Sequence, residues 1–232
     1  MKIVKIINFY YKLLHLVNFD SHRNFRKKLI SQNNSKKDNL YDYGEGMFYQ
    51  SIPPIKLNGL RDTKKRLKKL RLDYYLQDKT VLDIGTNIGA IPLSMKKNFK
   101  EFVGIDHNSD VIDIANKVRD YLNIENIKFI CGDFMKYNFE KKFEVILSLA
   151  NHSTFDKGIN DTNYYFEKVG KILEKKGILI LESHSPLYEK TSSYLHLVEI
   201  LQNDFDIIEK GNYEFGNYYD KNRKFHILVK KN

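Results

Sequence analysis

Five short apolar runs dominate the chain from residue 80 onward: TVLDIG, EFVGID, IKFICGD, FEVILSLA and GILILES. Helical patterns lie between them. The clearest is SDVIDIANKVRDYL, in which Val111, Ile112, Ile114, Ala115, Val118 and Leu122 fall on one face. Near-continuous apolar strands alternating with helices predict a parallel sheet covered on both sides. The last part of the chain differs. FDIIEKGNYEF and KFHILVKK read as strands separated by the turn-like GNYYDKNRK, with no helix between them. They predict a terminal antiparallel hairpin, so the fold class is doubly wound α/β with a hairpin finish.

In open sheets of this kind ligands sit outside the carboxyl ends of the strands. Three strand ends here carry groups suited to one nucleoside. The first closes with Asp83-Ile84-Gly85-Thr86-Asn87-Ile88-Gly89, a turn that brings backbone N–H groups and a helix N-terminus to a ligand. The second closes with Asp106, whose carboxylate can accept both ribose hydroxyl protons. The third closes with Gly132-Asp133-Phe134, where Asp133 can accept from an adenine amino group and Phe134 can flank the ring. No Gly-Lys-Ser/Thr ending is present, which argues against a P-loop. The spacing D-x-G-x-N-x-G also departs from the G-x-G-x-x-G of dinucleotide folds. An acid two residues before the first glycine repels a pyrophosphate but suits the methionine ammonium of S-adenosylmethionine.

VLDIGTNIG, FVGIDHN, CGDF and FEVILSLANH, in that order, resemble the class I S-adenosylmethionine-dependent methyltransferases over about residues 47–231. The resemblance implies a Rossmann-like methyltransferase fold: a seven-stranded, mostly parallel sheet of order 3-2-1-4-5-7-6 with the last strand antiparallel. It also implies that Asp83, Gly85, Asn87 and Gly89 hold the methionine part and Asp106 the ribose. His107 would lie against the adenine face, and Asp133 and Phe134 would bind its edge. Asn87 departs from the glycine common in the family. A second resemblance lies upstream, where FYQSI followed by GLRDTKKRL looks like a subgroup of small-molecule and RNA methyltransferases. The wobble-uridine tRNA carboxymethyl transferases are relatives within it. By that likeness Tyr49 and Gln50 cap the cofactor and Arg61 reaches its carboxylate.

The domain expected on this reading spans residues 46–232, behind an extension of residues 1–45. In MKIVKIINFYYKLLHLVNF, the polar residues Lys5, Asn8, Lys12 and His15 form one stripe on an otherwise apolar helix. Such a helix either packs on protein or lies in a membrane interface, making residues 1–20 a candidate peripheral membrane contact. No run is long and apolar enough for a membrane span, and no signal-peptide cleavage site follows, so a cytoplasmic protein is expected. Residues 20–45 are polar and basic, and RDTKKRLKKLRL reads as a helix with a cationic face. A net charge of +10 favours an anionic partner without choosing one. The single cysteine, Cys131, excludes an intramolecular disulfide and, within IKFICGD, is expected to be a packed core thiol. One cysteine and seven scattered histidines suggest no metal site.

Methyl transfer to a hydroxyl needs an aligned nucleophile and a base for its proton. The fourth strand ends with Asn151, His152 and Asp156 nearby, and the fifth with Glu182 and His184. His152 and His184 are the candidate bases, and Glu182 can orient a histidine or bind substrate hydroxyls. The Asn-Pro-Pro-Tyr type motif of amino-group methyltransferases is absent, which favours oxygen as acceptor. The expected function is O-methylation of a small molecule or a sugar intermediate of cell-surface glycan assembly. The alternatives are an RNA (tRNA) methyltransferase using the basic segments 22–37 and 61–71 as a phosphate track, or a cofactor-binding protein without catalysis.

Overall fold

Every apolar run singled out above is a strand in the computed structural model. It describes residues 20–34, 48–95, 98–151, 162–184, 190–214 and 222–232. The expected N-terminal helix therefore lies outside the described residues, apart from Asp20, and so do His152 and Asp156. The chain divides into two compact units, residues 1–66 and 67–232. The expected boundary at residue 45 lies outside the described residues.

That first unit holds helix α1 (Arg23–Asn34), two short parallel strands, β1 (Phe48–Gln50) and β2 (Gly59–Arg61), and a 3-10 turn over Pro53–Ile55 between them. Arg26 is almost wholly buried. It donates to the Ile55 carbonyl at 3.0 Å and pairs with Asp20 at 2.8 Å. The Arg26 hydrogen bond holds the Asp20 carboxyl down to about 2. Helix α2 (Thr63–Lys69) starts where the Thr63 hydroxyl donates to the Ser51 carbonyl at 2.6 Å.

The second unit is built on β3 (Thr80–Ile84), β4 (Glu101–Asp106), β5 (Ile127–Cys131), β6 (Phe143–Leu149), β7 (Leu173–Glu182), β8 (Phe205–Tyr213) and β9 (Arg223–Lys230). They form one sheet in the order β5-β4-β3-β6-β7-β9-β8. β9 runs antiparallel to both neighbours and the other pairs are parallel. This is the order 3-2-1-4-5-7-6 implied by the resemblance. Helices α3 (Leu72–Tyr75), α4 (Ala90–Ser94), α5 (Ser109–Tyr121), α6 (Thr162–Ile172) and α7 (Thr191–Leu201) accompany the strands. Ile112, Ile114, Ala115 and Val118 of α5 are buried, as its spacing predicts. A continuous core joins Leu82, Ile105, Ile146, Phe166, Leu179 and Val198 among others. At the β8 edge the Tyr75 hydroxyl donates to Glu209 at 2.6 Å and Arg71 pairs with the same carboxylate at 2.9 Å. A register shift between Ile207 and Glu209 further interrupts that edge.

Cys131 corrects the expectation of a core thiol. β5 is an edge strand of alternating burial, and Cys131 at its carboxyl end is exposed, with Sγ 3.8 Å from the His107 carbonyl. Among the described residues no helix is long and apolar enough to cross a membrane, and no group of His, Cys, Asp and Glu is placed to hold a metal ion.

His226, inside β9, is buried with Nδ1 3.0 Å from the Tyr194 hydroxyl. Burial, and then the charges of Lys210 and Lys224, lower its pKa to about 4. The unfolded imidazole takes up a proton near its ordinary 6.5, whereas the folded one resists until about 4. This contribution to stability is therefore intact above pH 6.5 and is lost as pH falls toward 4. The melting temperature is expected to drop between pH 7 and pH 4.5, and His226→Phe to flatten that part of the profile in a thermal-melt series.

Candidate active site

The sheet register brings the functional strand ends to one edge. Cys131 lies opposite Asp106, Ile84 opposite Ser148, and Leu149 opposite Glu182. The chain leaving β3 must then turn sharply toward α4. Gly85, Asn87 and Gly89 do so with φ of 71°, 53° and 67°. Asparagine tolerates that left-handed region better than most side chains, which accounts for the departure at residue 87. Its Oδ1 also accepts the Ile88 N–H at 2.9 Å. Gly89 is required twice over, because a Cβ there would meet the Phe129 ring at 2.3 Å in addition to the backbone strain.

Asp106 is the anchor of the turn. Its Oδ2 accepts the Asn87 N–H at 2.9 Å and its Oδ1 the Asn108 N–H at 3.0 Å. Asn108 in turn caps α5 by accepting the Asp110 N–H at 2.9 Å. One carboxylate thus ties the glycine turn to the start of the next helix. Each of its oxygens keeps a further lone pair for a ligand hydroxyl. The neighbouring His107 is 64% exposed, with Nδ1 3.9 Å from Asp106 Oδ1. Asp83 is buried at the end of β3. Two carboxylates beside one turn oppose a pyrophosphate and match an ammonium and a ribose diol, so the residues present fit S-adenosylmethionine.

Asp133 uses Oδ1 to accept the Met135 N–H at 2.8 Å, while Lys136 approaches Oδ2 at 3.6 Å. Phe134 is placed differently from expectation. Its ring is 2% exposed and packs against Tyr165 at 5.3 Å between centroids, with Lys168 over it. Almost none of the residue is left exposed to flank a base. Tyr49 and Arg61 belong to the first unit, where the Arg61 guanidinium stacks 3.8 Å from the Tyr49 ring centroid. Gln50 is buried beside them.

At the end of β7, Glu182 is wholly buried. Its Oε1 pairs with Arg223 Nη1 at 2.7 Å, and its Oε2 accepts the Tyr213 hydroxyl. Ser183 is held on three sides: Arg223 Nη1 donates to its carbonyl at 3.3 Å, the Lys224 N–H to its Oγ at 3.0 Å, and its own N–H to the Lys224 carbonyl at 2.8 Å. The half-buried His184 follows directly. At the end of β6, the Asn151 amide donates inward to the Ile84 carbonyl, and its Oδ1 accepts the Ser148 hydroxyl at 2.7 Å. Arg223, Tyr213, Ser148 and Tyr165 were not singled out from the sequence. The one local signal was Ser148, a polar residue inside the apolar run FEVILSLA.

Comparison with known proteins agrees with this geometry. Residues 76–226 match the family model of a methyltransferase domain. A ribosomal RNA small subunit methyltransferase G of Legionella pneumophila is 29% identical over 128 residues, which is 52% of this chain and 61% of that protein. A malonyl-[acyl-carrier protein] O-methyltransferase of Priestia megaterium is 24% identical over 134 residues, 56% of this chain and 46% of that protein. The chain thus spans less than two thirds of the length of these curated relatives. Among solved structures, the N-methyltransferase NodS of Bradyrhizobium japonicum, in complex with S-adenosyl-L-homocysteine, superposes with a TM-score of 0.62. It is 14% identical, over 92% of this chain and all of that one. The expected sheet order, the turn anchored on Asp106 and the family match converge: the chain belongs to the methyltransferase domain family, within the class I S-adenosylmethionine-dependent methyltransferases.

Proposed function

We propose that the chain methylates an oxygen of a hydroxylated small molecule, a sugar intermediate of cell-surface glycan assembly foremost. S-adenosylmethionine, when bound, supplies the electrophilic methyl on its sulfonium. On this reading Asp106 accepts the ribose hydroxyls, Asp83 and the Gly85–Gly89 turn hold the methionine end, and Asp133 reads the adenine amino group. His184 takes the proton of the acceptor hydroxyl as the new O–C bond forms and the S–C bond breaks. His152, outside the described residues, is the second candidate base. Glu182 serves as a positioning residue: paired with Arg223, it fixes the backbone that presents His184.

The observation that carries the choice of oxygen is the direction of Asn151. Its Nδ2 donates to the Ile84 carbonyl and its Oδ1 accepts from Ser148, so the amide is turned inward rather than toward an amino acceptor, while the half-buried His184 stands at the end of β7. A second reading, methylation of RNA, is favoured by the relatives that act on ribosomal RNA and by the basic segments 22–37 and 61–71. Peripheral membrane contact through residues 1–20 is compatible with either.

The test is transfer of labelled methyl groups from S-adenosylmethionine to sugar nucleotides and hydroxylated small molecules, run beside unmodified tRNA and ribosomal subunits. Label in a small molecule, reduced about 100-fold by His184→Ala, is the expected result. Label in RNA alone would transfer the assignment to the second reading.

A further inference from the structure

Tyr165, Ser148, Asn151 and the Ile84 carbonyl form one hydrogen-bonded line beneath the glycine turn, and the reaction proposed above employs neither Tyr165 nor Ser148. The side chains of Ser148, Tyr165 and Asn151 are 0%, 2% and 6% exposed. An amide oxygen can only accept, so the 2.7 Å contact to Asn151 Oδ1 uses the one hydroxyl proton of Ser148. Tyr165 is then the donor in the 2.9 Å contact between the two hydroxyls, and it also stands 3.5 Å from Asn151 Oδ1. Asn151 Nδ2 donates onward to the Ile84 carbonyl. Every bond points the same way, an arrangement in which each polarises the next. Burial, together with the nearby charge of Asp83, raises the Tyr165 phenol far above its ordinary range and keeps it a neutral donor.

The line ends on one peptide plane. The Ile84 carbonyl is taken by Asn151, and the Gly85 N–H on the other side of that plane donates to the Ile105 carbonyl at 2.9 Å. A peptide leading into a glycine at positive φ is the place where a turn can flip most cheaply. Here both of its polar groups are held. The Asn151 side chain also packs against residue 85, since a Cβ on Gly85 would lie 3.2 Å from both its Cβ and its Nδ2.

We propose that Asn151 is a positioning residue for the cofactor site. Backed by Ser148 and Tyr165, it locks the Ile84–Gly85 peptide in the orientation the turn requires, so that cofactor affinity is set in part from β6 and α6. The inference rests on reading that turn as the methionine-binding part.

The test is calorimetric titration of the full chain with S-adenosylhomocysteine, combined with amide hydrogen exchange at Gly85 and thermal melting. Asn151→Ala is expected to weaken binding about tenfold and Tyr165→Phe about fivefold, the scale of one or two lost hydrogen bonds. The double variant should bind no more weakly than Asn151→Ala alone, because Tyr165 acts through Asn151. Gly85 should exchange faster in both single variants while Leu147, within β6, does not change. Additive losses, or lowered melting with affinity and Gly85 exchange unchanged, would overturn the proposal. If Asn151→Ala does not fold, the near-isosteric Tyr165→Phe decides alone on the same two readouts. A folded wild type that binds no S-adenosylhomocysteine overturns the reading of the turn itself. Wild-type binding that the variants leave intact overturns only the positioning role.

Discussion

Asp106→Ala is expected to lower the affinity for S-adenosylhomocysteine by roughly 100-fold or more, read by titration calorimetry. Two causes add. On the proposed reading the carboxylate accepts two ribose hydroxyls, and each charge-assisted hydrogen bond contributes about 1.5–3 kcal/mol. It also anchors the Asn87 and Asn108 N–H groups, so alanine frees both the turn and the cap of α5. Asp106→Asn separates these causes. It keeps the shape and one acceptor oxygen, but places an NH2 opposite one of the two backbone N–H groups. Its loss of binding should lie between wild type and alanine, and its melting temperature should stay nearer the wild type. Unchanged binding in Asp106→Ala would remove the nucleoside site from the end of β4.

Arg223→Leu is expected to destabilise the fold by about 3–5 kcal/mol, because it leaves the Glu182 carboxylate fully buried with no cation. For a chain of this size that corresponds to a fall in melting temperature on the order of 10 °C. Replacing both partners, as in Glu182→Leu with Arg223→Leu, should recover much of the loss, since two apolar side chains leave no charge to solvate. A thermal double-mutant cycle measures this directly. The Tyr213 hydroxyl, which donates to the same carboxylate, keeps the recovery short of complete. If Arg223→Leu melts like the wild type, the pair carries no stability.

The parts of this fold that could be read from the sequence are those fixed by local pattern. β3, β4, β6 and most of β7 are buried on both faces, so their residues are mainly apolar, and the amphipathic spacing of α5 marks its core side. Asp83, Asp106 and Asp133 stand out in the sequence because each lies at or near the end of an apolar run. Strand order was not in the pattern and came from the resemblance. The apolar run around Cys131 does not reveal that β5 lies at the sheet edge, where Lys128 and the strand-ending Cys131 are exposed. The start of β7 was missed for a related reason. Glu174, Lys175 and Lys176 are exposed, with Lys176 at φ 57°, so four residues of strand read as a polar loop. Glu182 as a buried ion pair, and Asn151 as a group turned inward, depend on partners that are distant along the chain. Arg223 and Tyr213 lie more than thirty residues from Glu182, and Ile84 lies 67 from Asn151. No local spacing carries that information.

The position of β9 bears on how the protein is made. It follows every other strand of the sheet in the chain, yet it sits inside, between β7 and β8. Until β9 has been synthesised, β7 presents an open row of unpaired backbone groups and the Glu182 carboxylate lacks Arg223. During that interval the nascent chain carries a bare apolar strand edge, the feature most prone to pair with another chain. Slow translation through residues 183–230 would therefore prolong the period of greatest exposure to misassembly, and chaperone demand would be concentrated at that late stage of synthesis.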